Sequence, residues 1–280
     1  MKISVITPSF RNSAWLKLCI PSVADQQGVA VEHIVQDAGS DDGTQDWLPH
    51  DPRVKAFIEK DSGMYDAINR GWLRAEGEVL AQLNCDEQYL PGALAAVADH
   101  FCHHPETDIL VADTVVVDTN GNFICCRKCL EPLPGLIWVY NPTITSSIFI
   151  HRRVIEKHRL LFDTRWRYLG DIYWMIEAVQ RRLKFGVLRR YTSTFADTGE
   201  NLCLVPAAQR EREMKIELMP PWVRRLRWPL TQLHRTRHFL RGAYRQAPFE
   251  YSLYTHASPN RRITFPVPNP VTLWRNRQGQ

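Results

Sequence analysis

The chain has 280 residues, 44% hydrophobic and 23% charged, a balance that excludes a disordered, collagenous or coiled-coil protein. Its net charge of +5 divides into −5 over residues 1–200 and +10 over residues 201–280. The apolar run at residues 3–6 is too short for a signal peptide, and no stretch suits a membrane span, so we expect a cytoplasmic protein. The seven cysteines include Cys126-x-x-Cys129 without a second pair at zinc spacing, which favours reduced thiols over metal or disulfides.

The first hundred residues alternate between short β-rich runs and helical patterns. Helices are predicted from Ser13 and near residues 45–48, 64–74 and 94–100. They separate or follow predicted strands at residues 3–7, 31–36, 54–58 and 78–83. This alternation predicts an α/β fold with a mostly parallel central sheet and helices on both faces.

The middle of the chain is less regular. A strand at 108–118 precedes an Asn120-Gly121 turn typical of a hairpin, and another strand follows at 146–150. A helix is predicted at 171–181. Beyond residue 210 the pattern becomes an Arg-rich amphipathic stretch, which places a domain boundary near residue 205.

Polar loops follow four of the predicted strands, at residues 8–11, 37–44, 61–63 and 84–87. In a doubly wound sheet, ligands bind outside the carboxyl ends of the strands, where such loops converge. Clustered carboxylates favour a divalent cation that also bridges to phosphate oxygens. Neither Gly-x-Gly-x-x-Gly nor the P-loop pattern is present, so a nucleotide would have to bind in another way.

Four blocks of sequence resemble family 2 inverting glycosyltransferases with the GT-A fold. They are residues 6–12 (ITPSFRN), 33–44 (HIVQDAGSDDGT), 59–71 (EKDSGMYDAINRG) and 75–87 (AEGEVLAQLNCDE). The order and spacing of all four are more specific than any single block. The resemblance implies a GT-A domain over residues 1–205, comprising a nucleotide-sugar-binding half at 1–100 and an acceptor half at 101–205. A basic helical extension at 206–280 would follow.

The resemblance also implies roles in donor binding for the strand-end residues. Pro8, Ser9 and Phe10 would line the nucleobase pocket, with Asp37 accepting a hydrogen bond from the base. Asp61 and the backbone of Gly63 would lie near the ribose and diphosphate. Asn84, Cys85 and Asp86 occupy the Asp-x-Asp position, where Asp86 would ligate Mg²⁺ or Mn²⁺. A local alternative is that Asp37 forms a turn and Asp86 is a solvated or helix-capping acid.

An inverting transfer needs a carboxylate that takes the proton of the acceptor hydroxyl. The family resemblance assigns this role to Asp171, which follows an apolar strand and a Phe162-Asp163 turn, near the start of a helix. A helix N-cap is the alternative role for Asp171, and the two roles are compatible. Residues 195–201 are a candidate lid over the donor.

The tail segment 222–245 holds seven arginines interleaved with Trp, Leu and Phe, and it has no acidic residue. Such a segment suits an anionic membrane surface, and it could equally be a helix packed on the catalytic domain. Nucleic acid is a weaker alternative because no recognised binding module accompanies it. We therefore expect a protein that can lie on the inner face of the membrane.

The predicted function is metal-assisted transfer of a sugar, with inversion, from a nucleotide diphosphate-sugar to a sugar or lipid-linked glycan hydroxyl. The resemblance places it in surface polysaccharide or glycolipid synthesis. The alternatives are a catalytically inactive nucleotide-sugar-binding protein and a membrane-surface interaction protein. A nucleotidyltransferase is disfavoured because Pro8 to Asn12 contains no glycine-rich loop.

Overall fold

A computed structural model describes residues 1–141, 143–199, 201 and 205–273. The main sheet has the strand order β3-β2-β1-β4-β8-β6-β9-β5, with β7 paired to β6. Strands β1 to β4 pair in parallel, whereas β8 joins β4 and β6 in antiparallel register. The strands are β1 Lys2–Ser9, β2 Ala30–Asp37, β3 Lys55–Ile58, β4 Val79–Gln82, β5 Gln88–Tyr89, β6 Ile109–Val117, β7 Phe123–Arg127, β8 Ile148–His151 and β9 Phe185–Ala196.

Helices cover both faces of this sheet, which confirms the predicted α/β fold. They are α1 Ser13–Ala24, α2 Thr44–Trp47, α3 Met64–Arg74, α4 Ala93–His103, α5 Leu136–Val139, α6 Arg153–Glu156 and α7 Gly170–Gln180, with short 3₁₀ turns at Leu48–His50 and Thr145–Ser147. The predicted hairpin at Asn120-Gly121 is present as the β6–β7 connection.

Two apolar layers sandwich the sheet. On one face α3 and α7 meet through Trp72, Phe162 and Trp174, whose rings lie 4.9 to 6.0 Å apart. On the other face α4 packs Leu94 and Phe101 over β1 and β4. Helix α3 lies close to β1 at Gly71, where a Cβ would fall 2.5 Å from Ile6 Cγ2. This close packing fixes the amino end of α3 beside the carboxyl end of β1.

The last quarter of the chain differs from the predicted helical extension, because it contains strands as well as helices. Helices α8 Ala208–Leu218, α9 Pro221–Arg225 and α10 Arg227–Leu240 are followed by the antiparallel hairpin β10 Phe249–Thr255 and β11 Ser258–Val267. Tyr251, Leu253 and Val267 of this hairpin pack against residues of the main sheet. Apolar residues alternate along β10, so one face of the hairpin is buried and the hairpin joins the main core.

The hairpin is also held to the main sheet by polar contacts. The side-chain amide of Gln88 pairs with the backbone of Tyr254, donating to its oxygen at 2.8 Å and accepting from its nitrogen at 2.8 Å. Arg262 forms an ion pair with Asp25 at the end of α1, with an N–O distance of 2.6 Å. Among the described residues, no helix is long and apolar enough to cross a membrane.

Candidate active site

A cleft of about 1020 Å³ opens at the carboxyl ends of β1 and β4. The predicted site residues that line it are Pro8, Ser9, Phe10, Asp61, Gly63, Asn84, Cys85, Asp86 and Asp171. They come from three loops that follow strands and from the first turn of α7, and the fold brings these segments to one edge of the sheet.

Asp37 is not among the residues that line this cleft, and its contact with a base stays a prediction. Its side chain is fully buried, and both carboxylate oxygens already accept hydrogen bonds. The donors are Ser9 Oγ, Ser40 Oγ and the backbone nitrogens of Gly39 and Ser40, at 2.7 to 3.0 Å. Strand β2 ends at Asp37, one residue later than the predicted strand. Asp37 therefore holds the β1 and β2 loops together, and Ala38 reaches the cleft wall.

The loop before α3 forms a second wall. Gly63 has φ 129°, a conformation that a side chain would strain, and its nitrogen donates to Asp61 Oδ1 at 2.9 Å. Asp66 in the first turn of α3 accepts from Ser62 N at 2.9 Å. Burial raises the pKa of Asp61. These contacts hold the loop in place, with the amino end of α3 and its partial positive charge next to the cleft.

The segment between β4 and β5 carries uncompensated acidic groups. Glu87 is fully buried, and its Oε2 accepts a hydrogen bond from Asn84 N at 2.9 Å. Within the described chain, Asn84 Oδ1 and Glu87 Oε1 are buried without a hydrogen-bond partner. Burial raises the pKa of Asp86 to about 6, and burial together with the Asp86 charge raises the pKa of Glu87 to about 8. The acidic groups of this segment therefore need a positive charge to balance them.

A divalent metal fits these residues. Asn84 and Asp86 offer an amide oxygen and a carboxylate, both hard ligands of the kind that Mg²⁺ and Mn²⁺ accept. The described residues contain no group of three or more His, Cys, Asp or Glu side chains placed to hold an ion. An ion here would therefore complete its coordination with ligand oxygens, as Mg²⁺ does when it bridges a carboxylate to phosphates.

Asp171 lies in the first turn of α7, where burial raises its pKa. The hydroxyl of Tyr65, from the first turn of α3, donates to Asp171 Oδ1 at 3.2 Å. Gly170 makes room for Tyr65, because a Cβ at this position would fall 2.6 Å from the tyrosine ring. A carboxylate of raised pKa, oriented at the cleft wall by a hydrogen bond from Tyr65, is suited to accept a proton.

Glu211 supports the segment that leads to Asp171, and sequence reasoning did not identify it. From α8, its buried carboxylate accepts hydrogen bonds from three consecutive backbone nitrogens at 2.7 to 3.1 Å. Those nitrogens belong to Arg167, Tyr168 and Leu169, all of which line the cleft. The predicted extension beyond residue 205 thus takes part in building the site. Of the candidate lid, Phe195, Thr198 and Asn201 line the cleft, and residue 200 lies outside the described residues.

The N-terminal part of the chain matches a known family. Residues 4–125 match the sequence profile of "Glycosyl transferase family 2". The similarity to this family covers somewhat less than half of the chain. It is similar to an uncharacterized glycosyltransferase of Nostoc sp., with 28% identity over 61% of this chain and 57% of the relative. It is also similar to the GalNAc(5)-diNAcBac-PP-undecaprenol beta-1,3-glucosyltransferase of Campylobacter jejuni, with 33% identity over 34% of this chain and 33% of the relative.

Solved structures of similar fold cover more of the chain than the family profile does. TarS residues 1–349 of S. aureus, in complex with UDP-GlcNAc, superposes with a TM-score of 0.61 over 86% of this chain and 73% of that one, at 18% identity. The mannosyltransferase PcManGT of Pyrobaculum calidifontis, in complex with GDP-Man and Mn²⁺, gives 0.54 over 85% and 79%, at 14% identity. These likenesses establish the GT-A fold. The chain spans 57% of the Nostoc relative and a third of the Campylobacter one.

Proposed function

We propose that this protein transfers a hexose, with inversion, from a nucleotide diphosphate-sugar to a hydroxyl of a sugar or lipid-linked glycan. One observation carries the proposal. The same cleft is lined by Asn84, whose side-chain oxygen has no hydrogen-bond partner in the described structure, by Asp86 and by the half-buried Asp171, whose pKa is raised. The first pair suits a metal-bound diphosphate and the second group suits a general base.

On the donor side, Pro8, Ser9 and Phe10 form the wall for the nucleobase, and Phe10 is 56% exposed. Asp61 and the turn at Gly63, before α3, lie where ribose and diphosphate would bind. Asn84 and Asp86 would hold a divalent metal. When bound, this ion supplies positive charge that stabilises the leaving diphosphate.

On the acceptor side, Asp171 takes the proton from the acceptor hydroxyl. The oxygen of that hydroxyl forms a bond to the anomeric carbon as the bond from this carbon to the diphosphate oxygen breaks. The products are the glycosylated acceptor and a nucleoside diphosphate, and Asp171 is left protonated. A single displacement of this kind inverts the anomeric configuration. Arg167 and Tyr168 line the cleft beside Asp171 and would contact the acceptor.

The acceptor class is proposed from two observations. The Campylobacter relative is named for a glycan linked through a diphosphate to undecaprenol. In this chain, one face of α10 packs through His234 and His238 on Tyr140, while apolar residues on its other side remain uncovered. Trp228 and Leu240 are each 74% exposed and Phe239 is 64% exposed, among seven arginines and no acidic residue in segment 222–245. We propose that this side rests on an anionic membrane where lipid-linked acceptors lie.

The decisive experiment is calorimetric titration of the purified protein with UDP, GDP and dTDP, with and without Mn²⁺. We expect metal-dependent binding of one nucleotide, and its loss in Asp86→Ala but not in Asp99→Ala, an exposed carboxylate on α4. Hydrolysis of the corresponding nucleotide-sugars then reports turnover without a known acceptor. Absence of binding to all three nucleotides would contradict the proposal. Binding without any turnover, on donors alone or with lipid-linked acceptors, would favour the catalytically inactive alternative.

A further inference from the structure

A second pocket, of about 440 Å³, shares no residue with the cleft. It lies between the end of β7, the residues after α5, helix α10 and the chain near residues 243 and 272. Its polar lining is dominated by cations and aromatic groups: Arg127, Lys128, Tyr140, Arg227, His234, Arg235, His238 and Tyr244. Asp and Glu are absent from this lining among the described residues, so the pocket concentrates positive charge around an open space.

The cations of this pocket lack acidic partners. None of Arg127, Lys128, Arg227 and Arg235 forms an ion pair within the described part of the chain. Arg127 donates to the hydroxyl of Tyr140, and Lys128 Nζ donates to the backbone oxygen of Arg245 at 2.7 Å. Most of their donors therefore remain available. Four like charges around one space repel one another unless an anion binds between them.

The two histidines give an independent indication of a missing anion. His238 is only 7% exposed, and its Nε2 is buried without a partner in the described structure. Its ring lies 4.1 Å from that of His234, which in turn lies 3.8 Å from that of Tyr140. Burial, followed by the neighbouring His and Arg charges, lowers the pKa of both histidines to about 4. A buried polar nitrogen without a partner costs free energy, and a bound oxyanion would satisfy it.

We propose that this pocket binds a diphosphate group, at a site separate from the donor cleft. Guanidinium groups bind phosphate oxygens through paired hydrogen bonds, and four cations exceed what a single carboxylate would neutralise. The volume leaves room for a second phosphate and the beginning of the group attached to it. The diphosphate comes either from a soluble molecule or from a lipid, because the pocket borders the helix that carries Trp228, Phe239 and Leu240. Because none of the pocket residues lines the cleft, binding at this pocket can be tested separately from sugar transfer.

The first test uses inorganic pyrophosphate, titrated calorimetrically into the metal-free full-length protein. Arg227→Gln/Arg235→Gln removes two cations of the pocket, and we expect it to weaken binding by about tenfold or more. Arg225→Gln/Arg241→Gln is the matched control, because it removes two exposed arginines of the same segment that do not line the pocket. We expect this control to bind pyrophosphate as the wild type does, and both variants to keep metal-dependent nucleotide binding.

Three results would overturn the proposal. The first is the absence of measurable pyrophosphate binding. The second is equal weakening of binding by both double variants, which indicates a diffuse basic surface, and the third is no weakening by either variant, which places the anion elsewhere. NMR titration of the histidines tests the proposal without any variant. In the wild type, pyrophosphate should raise the pKa of His234 and His238, because an anion stabilises the charged imidazole, and unchanged pKa values would contradict the proposal.

A second measurement distinguishes the source of the diphosphate. Flotation with phosphatidylcholine vesicles, with and without phosphatidic acid, measures binding to lipid phosphate in the wild type and the two double variants. Displacement of the protein from the anionic vesicles by pyrophosphate, together with loss in Arg227→Gln/Arg235→Gln, indicates a lipid headgroup in the pocket. Pyrophosphate binding in the pocket that leaves vesicle binding unchanged indicates a soluble ligand.

Discussion

The hydroxyl of Tyr65 donates a hydrogen bond to Asp171 Oδ1 across 3.2 Å, joining the first turn of α3 to the first turn of α7. Burial raises the pKa of the tyrosine well above its ordinary value, so its hydroxyl remains a proton donor at neutral pH. The bond ties the donor-side helix to the carboxylate proposed as the base. The two halves of the cleft are thereby held at a fixed separation.

Asp171→Asn should abolish most turnover while leaving donor binding intact. The amide cannot accept the hydroxyl proton, and general base catalysis contributes about 10²–10⁴-fold to rate. The measurement is kcat for donor consumption beside the calorimetric affinity for the nucleotide. Asp163→Asn, which changes a carboxylate that pairs with Arg165 on the surface, should leave kcat unchanged. Full activity in Asp171→Asn would exclude this residue as the base.

Glu211→Ala should lower kcat with little change in the KM for the donor. The carboxylate holds three backbone nitrogens just before Asp171, and misplacement of a catalytic group by about 1 Å can cost about 10²-fold in rate. Glu211→Gln keeps one acceptor oxygen and should restore part of the activity. Glu213→Ala, on the exposed side of the same helix, is the control. A parallel loss of donor affinity would show that Glu211 acts on the fold as a whole.

Binding of Mn²⁺ with nucleotide should weaken as the pH falls below about 6, where Asp86 becomes protonated. A proton and a metal compete for the same carboxylate, so affinity should fall by up to about tenfold per pH unit under this value. Calorimetry over a pH series measures the effect, and Asp86→Asn should bind weakly at every pH. An affinity that does not change with pH would separate Asp86 from the metal.

Glu87→Gln should remove part of the pH dependence of stability. Burial raises the pKa of Glu87 from an ordinary 4.5 to about 8, so the folded state binds its proton more tightly than the unfolded state does. The stabilisation is therefore complete below about pH 4.5 and is lost as the pH rises to about 8. The slope reaches at most about 1.4 kcal/mol per pH unit.

Chemical unfolding at several pH values tests this expectation. The free energy of unfolding should fall less steeply with pH in Glu87→Gln than in the wild type, and the variant should be the more stable protein near pH 8. Glu213→Gln removes an exposed carboxylate and should reproduce the wild-type slope. Identical slopes in all three proteins would show that Glu87 is not the group responsible.

Local sequence patterns predicted the parallel part of the sheet and the loops that line the cleft. Strand β1 ends at Ser9 and is followed by polar residues, and Asp86 follows β4 in the same way, so both positions could be placed at one edge. The sequence alone could not explain the glycine at position 170, whereas the structure shows that the Tyr65 ring occupies the space of its Cβ.

Those local patterns could not predict contacts between segments that are distant in the sequence. Nothing in the charged run of α8 distinguishes Glu211 from Glu213, since only the fold decides which of them faces α7. The burial of Asp37 likewise depends on hydroxyl groups from two loops. The sequence does contain a signal for the β10–β11 hairpin, because Phe249, Tyr251 and Leu253 alternate with other residues along β10. Nearby prolines and asparagines obscured this strand pattern.

The hairpin at residues 249–267 closes over Leu90, Val115 and Val117, which belong to a sheet made much earlier in the chain. During synthesis on a ribosome, those apolar side chains stay exposed until residues 249–267 have emerged. A product truncated before the hairpin would therefore expose an apolar surface, which is the kind of surface that promotes aggregation. Burial of this part of the core thus depends on translation having passed residue 267.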